Sequence, residues 1–177
     1  MVLEKKRTAI IFDIDGVVCD SSSRFKRLNI DAYIKKHKTA FINSIKWYES
    51  DCEGDKVIES GVKLLESLTN TLSISKVFFI TARGNGGRAP TTQWLLDAGI
   101  LKDGDELIMH PETLDEEFEF KTPVVHANWK KSEAEKIMKQ YNVLFAVDDS
   151  EDNINAYSSL GITCIKFISP MLGRVLV

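Results

Sequence analysis

Cysteine is scarce in this sequence and never paired. Cys19, Cys52 and Cys164 are odd in number, far apart and outside any CxxC spacing. That argues against a disulfide frame or a zinc knuckle and for reduced thiols. Long apolar runs are lacking too: none approaches the ~18 residues of a membrane span, and the opening "MVLEKKRTAIIFD" has too short an apolar core for a signal peptide. The expectation is a cytoplasmic protein with no membrane association. No charge of one sign dominates: 23 Lys and Arg against 26 Asp and Glu leave a formal charge of −3. This makes no case for a generally basic nucleic-acid binder and leaves room for a local basic patch. His37, His110 and His126 form no HxxxH or HExxH pattern, so no zinc site is assigned. No GxxxxGK[ST] phosphate loop occurs, which removes a P-loop kinase.

The sequence does hold enough apolar residues for a core, 44% of 177 residues with 28% charged. That suits one domain, residues 1–177, with a small insertion. Short apolar runs at 8–13, 75–81, 105–109, 143–147 and 162–167 read as strands, each bounded by turn residues. Helical patterns separate them. "DKVIESGVKLLESL" aligns Val57, Ile58, Val62, Leu65 and Leu68 on one face. "TTQWLLDAG" starts after Pro90 and stops at Gly99, "NWKKSEAEKIMKQY" follows an N-cap at Asn128, and "SEDNINAYSSLG" closes on Gly161. Strands alternating with helices predict a parallel sheet between helical layers, an α/β/α sandwich of Rossmann-like type. Residues 20–55 break the rhythm and read as a small, mostly helical insertion after the first strand. The acidic segment 111–120 reads as a solvated loop, and the apolar tail 169–177 as a segment that docks on the core or on a partner.

In such sheets ligands bind beyond the carboxyl ends of the strands, and here several strands end in reactive residues. "AIIFDIDG" ends its strand in Asp13 and Asp15. An aspartate nucleophile splits phosphoester hydrolysis into two easier steps through an aspartyl phosphate. It needs a cation nearby to approach a phosphate dianion. Asp15, two residues on, projects to the same side and suits a general acid and base. "FAVDDSEDN" ends a second strand in Asp148 and Asp149, hard oxygen ligands suited to Mg²⁺. Asn153 and Asp152 compete for a supporting role. Thr81 ends a third strand with a hydroxyl able to donate to phosphate, and Lys130 or Lys131 supplies the compensating cation.

The order DIDGV, ITAR, lysine, VDDxxxN resembles the four motifs of the haloacid dehalogenase-like (HAD) hydrolases, most of them Mg²⁺-dependent phosphatases. The resemblance runs over residues 8–167. It implies a HAD-like fold and Asp13 as nucleophile, with Asp15 as general acid and base. Mg²⁺ would be held by Asp13, the Asp15 carbonyl, and Asp148 or Asp149, and the phosphoryl group by Thr81 and the lysine, for which Lys130 fits the family's spacing slightly better than Lys131. "DIDGVVCDSSSRF", "WYESDCEGD", "ITARGNGGRAPTTQWL", "ELIMHPE" and "FAVDDSEDN" are also similar to the phosphatase domain of polynucleotide kinase/3′-phosphatases and its phage relatives, with Arg24, Arg83, Thr92, Trp94 and Leu95 matching. Two positions depart: His110 and Ser150 stand where that group has arginine.

The expected substrate is a nucleic-acid 3′-phosphate end or a nucleotide. "RFKRLNIDAYIKKHK", Arg24 to Lys38, is basic on an acidic chain and would draw phosphate-rich ligands. Its alternative role is to solubilise an exposed helix. Arg24, Arg83 and Arg88 are the candidates for gripping the substrate. Tyr33, Phe41, Trp47 and Tyr48 read as packing residues before they read as a base-stacking platform, and Cys19 as a buried small hydrophobe. The rival functions are a 5′-nucleotidase on free (deoxy)nucleoside monophosphates and, from another class, a catalytically inactive domain that binds nucleic acid or a partner.

Overall fold

Ala9 to Phe12 carry no polar side chain and are wholly buried, as a strand paired on both edges and covered on both faces requires. The computed structural model describes residues 6–25, 28, 31, 35–52, 54–111 and 123–169. In chain order the elements are β1 (Arg7–Phe12), β2 (Cys19–Asp20), α1 (Ser22–Phe25), α2 (Lys38–Ser50), β3 (Lys56–Val57), α3 (Glu59–Thr71), β4 (Lys76–Gly84), a 3₁₀ turn (Asn85–Gly87), α4 (Arg88–Asp97), β5 (Glu106–His110), α5 (Pro123–Gln140), β6 (Tyr141–Asp148), α6 (Glu151–Ser158) and β7 (Thr163–Lys166). Five strands form one parallel sheet in the order β5-β4-β1-β6-β7. The chain grows outward from β1 to β4 and β5, then returns to build β6 and β7 on the other side. The reversal falls between β1 and β6, where open α/β sheets place their ligands.

Alternation sorts the strand residues into two cores. Ile10, Phe12, Val77, Phe79 and Val147 pack with Leu65 of α3 and Leu95 of α4. Ala9, Ile11, Phe78, Ile80 and Ala146 pack with Ala134 and Ile137 of α5 and Tyr157 of α6. The result is the expected Rossmann-like three-layer α/β/α sandwich.

The structure corrects several boundaries. Val57 does not begin a helix; it lies exposed in β3, which pairs antiparallel with β2. Ile58 caps α3 instead, and its N–H donates to Val18 O at 2.9 Å. Gly61 lets α3 close onto the same turn, since a Cβ there would lie 1.8 Å from Val17 O. Helix α4 starts at Arg88, before Pro90, a position in the first turn where a missing N–H costs nothing. Helix α5 starts at Pro123, so Asn128 lies inside it and is not its cap. In the region expected to be an insertion, α2 is the longest described element, and it rests against the 3₁₀ turn. Residues 26, 27, 29, 30 and 32–34 of the basic segment, Tyr33 among them, lie outside the described residues, as do the acidic residues 112–120 and the tail 170–177.

Candidate active site

Asp13 extends β1 by one residue, its N–H donating to Val147 O at 2.9 Å. The chain then turns sharply: Ile14 O accepts from the N–H groups of Val17, Val18 and Cys19 at 3.2, 3.0 and 2.9 Å. Gly16 takes φ 84° in that turn, a conformation open to glycine at no steric cost. Because Ile11 faces the α5/α6 core, Asp13 continues on that face, and Asp148 follows Ala146 onto it from β6.

Helix α5 meets them there with Lys130. Ala127, Lys130, Ala134 and Ile137 form its buried stripe, so the lysine is 1% exposed. Its ammonium pairs with Asp13 Oδ1 at 2.9 Å and Asp148 Oδ2 at 2.8 Å. Burial works to discharge Lys130, but Asp13 and Asp148 overcome it and hold its pKa above the ordinary lysine value. Asp148 is fully subscribed: Ser150 N–H donates to Oδ1 at 2.9 Å, and Asn153 Nδ2 to the two oxygens at 2.9 and 3.0 Å. Asp152, the rival of Asn153, is exposed on the outer side of α6. Lys131 is partly exposed and forms no ion pair among the described residues. Asp149 completes the cluster: Asp13, Asp148 and Asp149 each offer an oxygen within 4.8 Å of the others.

A second node holds Asp15. Arg83, at 5% exposure, donates Nε and Nη2 to its two carboxylate oxygens at 2.8 Å each. The same guanidinium donates to Thr91 Oγ1 at 3.1 Å, Cys52 Sγ at 3.4 Å, Cys19 Sγ at 3.1 Å and Asp55 Oδ2 at 3.2 Å. Burial opposes the charge on Arg83, yet Asp15 holds its pKa well above the ordinary arginine value. Asp55 in turn receives Arg24 through Nε and Nη2 at 2.6 Å each. Arg24 also donates to Tyr48 O and lies 4.3 Å over the Tyr48 ring, which ties α2 to the network. Each aspartate of the DxD pair is thus gripped by one buried cation, Lys130 for Asp13 and Arg83 for Asp15.

Other sequence candidates sit elsewhere. Thr81 is buried, and its Oγ1 accepts from Arg83 N–H at 3.2 Å. Arg88 is exposed and donates to Asn85 Oδ1 at 2.7 Å and Leu107 O at 3.0 Å, apart from the carboxylates. Cys19 is no mere hydrophobe: besides accepting from Arg83, its thiol donates to Asp55 at 3.2 Å. Burial and the nearby Asp15 push that thiol far up, which keeps it protonated. His110 ends β5 buried, edge-on to His126 at 5.1 Å and Trp129 at 4.8 Å between centroids. Asp55 and Thr91 were not singled out as site residues by spacing; both reach the site through contacts distant in sequence.

The Asp13 cluster is short of positive charge. Burial, then Asp148 and Asp149, outweigh Lys130 and push the Asp13 carboxyl up to about 8. Crowded, oxygen-only donors beside a single ammonium fit a hard divalent cation such as Mg²⁺.

Comparison with known proteins gives the same family. The family model described as HAD superfamily, subfamily IIIB (acid phosphatase), matches residues 1–174. No curated protein sequence matches the chain. Among solved structures, a chain of the Pnkp1/Rnl/Hen1 RNA repair complex superposes with a TM-score of 0.63 at 20% identity, over 94% of this chain and 45% of that one. This chain therefore spans about half the length of that relative. A haloacid dehalogenase-like family hydrolase from Streptococcus pneumoniae superposes with a TM-score of 0.56 at 15% identity, over 93% of this chain and 88% of that one. The chain belongs to the HAD superfamily, in its subfamily IIIB (acid phosphatase).

Proposed function

We propose that the protein is a Mg²⁺-dependent phosphomonoesterase that works through an aspartyl phosphate on Asp13 and acts on a nucleic-acid 3′-phosphate end. The observation that carries the mechanism is the buried Lys130 shared by Asp13 and Asp148, with Asp149 beside them at the carboxyl ends of β1 and β6. Asp13 attacks phosphorus in line; the P–O bond to the leaving group breaks, and Asp15 delivers the proton that oxygen needs. Asp15 then takes a proton from water, whose oxygen attacks phosphorus and releases inorganic phosphate and free Asp13. Asp13, Asp149 and the Asp15 carbonyl would hold Mg²⁺, which would supply charge neutralisation for the phosphoryl group. Asp148 is spent on Lys130, Ser150 and Asn153, which makes it the anchor of the lysine. Thr81 and Lys130 hold the phosphoryl oxygens. Arg83 and Arg24 act on substrate at one remove, by fixing Asp15 and Asp55. The whole chain forms one domain, with the α2 region inserted after the first strand.

The 3′-end reading is supported by the motif similarity and by the fold shared with a chain of the Pnkp1/Rnl/Hen1 RNA repair complex. It is tested by phosphate release, with and without Mg²⁺, from a 3′-phosphorylated oligonucleotide, a 5′-phosphorylated one and free nucleoside monophosphates. The 3′-phosphorylated oligonucleotide is expected to be turned over fastest. Faster turnover of mononucleotides would replace this reading with a 5′-nucleotidase. Failure on a broad phosphoester panel would leave a binding domain.

A further inference from the structure

Helix α2 delivers the chain straight into the network that holds Asp15. The helix ends at Ser50, and the residues after it supply two acceptors to Arg83: Cys52 Sγ at 3.4 Å from Nη1 and Asp55 Oδ2 at 3.2 Å from Nη2. The last turn of α2 is itself fastened through Tyr48, in three ways. Its carbonyl is one of the final four that lack a partner within a regular helix, and it accepts from Arg24 Nη1. The same guanidinium lies 4.3 Å from the centroid of its ring, and its hydroxyl donates to Ser21 Oγ at 3.3 Å. Arg24 is 2% exposed, so Asp55, the Tyr48 ring and the negative end of α2 meet its charge in place of water. Asp55 Oδ2 is the shared atom, accepting from Arg24 Nη2 at 2.6 Å and from Arg83 Nη2 at 3.2 Å. How Arg24 holds Asp55 therefore bears on how Arg83 faces Asp15, which it grips twice at 2.8 Å.

We propose that Tyr48 is a positioning residue for Asp15: its ring holds Arg24 against Asp55, and through Arg83 that contact keeps Asp15 aimed at the leaving-group oxygen. This rests on the phosphatase reading above, in which Asp15 delivers the proton that oxygen needs. The seating of α2 then governs proton transfer and leaves the phosphoryl group to Asp13, Lys130 and Thr81. Its benefit falls on esters with a basic leaving group, which cannot depart without a proton. An ester whose leaving group departs readily as an anion gains little.

Phenyl phosphate and 4-nitrophenyl phosphate have nearly the same shape, but phenol is the more basic leaving group. With Mg²⁺ present, kcat/KM for each reports the transfer to Asp13, and their ratio isolates the need for a proton. Tyr48→Leu removes the ring from Arg24 and is expected to cost phenyl phosphate more than 4-nitrophenyl phosphate, shifting the ratio by more than about three-fold. Tyr48→Phe keeps the ring and is expected to leave the ratio unshifted. A shift below about three-fold in Tyr48→Leu, or the same shift in Tyr48→Phe, overturns the proposal. Tyr48→Met, closer to the ring in volume, takes the place of Tyr48→Leu if that variant does not fold. Should the unsubstituted protein release no phosphate, the phosphatase reading fails by itself. Melting temperatures of Tyr48→Leu, Asp15→Asn and the double variant then decide on the coupling: losses that do not add are expected, and additive losses overturn it.

Discussion

Asp55→Asn is the substitution that most directly probes how the active site is braced. The Asp55 side chain is wholly buried and accepts from Arg24 Nε and Nη2 at 2.6 Å, Arg83 Nη2 at 3.2 Å and the Cys19 thiol at 3.2 Å. Its single negative charge separates two buried guanidiniums. Asparagine keeps the shape but loses the charge and leaves one arginine fork half satisfied. Breaking a buried ion pair from one side costs about 3–5 kcal/mol, because the remaining charge is stranded. For a chain of this size that corresponds to a loss of about 6–20 °C in melting temperature. Thermal unfolding followed by circular dichroism at neutral pH measures it. Phosphate release is expected to fall in parallel, since Arg83 relies on Asp55 to stay aimed at Asp15. A loss below about 1 kcal/mol would place the pair among weakly coupled surface charges and refute the bracing argument.

Two further outcomes follow from the same geometry. The Asp13 carboxyl stands at about 8 in the folded protein against 3.8 ordinarily, so between those values the folded state binds more protons than the unfolded one. Metal-free stability is therefore expected to fall as pH rises through that window. Mg²⁺ takes the place of the proton, so melting temperatures in EDTA and in Mg²⁺ should diverge more at pH 8 than at pH 5; an equal gap at both would contradict this. Gly61→Ala forces a methyl group to 1.8 Å from Val17 O and must push α3 off the turn that carries the DxD pair. A destabilisation of about 1–3 kcal/mol or more in urea titration is expected, and a neutral result would show that α3 shifts freely.

The sheet was legible because its strands are short apolar runs, two of which end at Asp13 and Asp148, but β4 runs on past Thr81 to Gly84, so the threonine lies within its strand and not at its end. The hairpin was not, since β2 and β3 are two residues each and far apart in sequence, with no local turn signal to join them. Between Lys130 and Lys131 the helical phase decides: only Lys130 falls on the stripe with Ala127, Ala134 and Ile137. That signal was present in the sequence, though the true start of α5 at Pro123 was not read from it. Arg24 and Arg83 illustrate the harder case. Sequence shows basic side chains near an active edge but not which carboxylate spends them, and Asp55 and Asp15 claim both through contacts that only the fold creates.

The central claim, a covalent phosphoryl group on Asp13, is tested by acid-quenching the protein within its first turnovers of a phosphomonoester in Mg²⁺ and mapping the peptides by mass spectrometry. The account predicts one phosphoryl group on the peptide containing Asp13, absent from Asp13→Asn, which should also release no phosphate. Rapid phosphate release with that peptide unmodified, or turnover that survives Asp13→Asn, would contradict it.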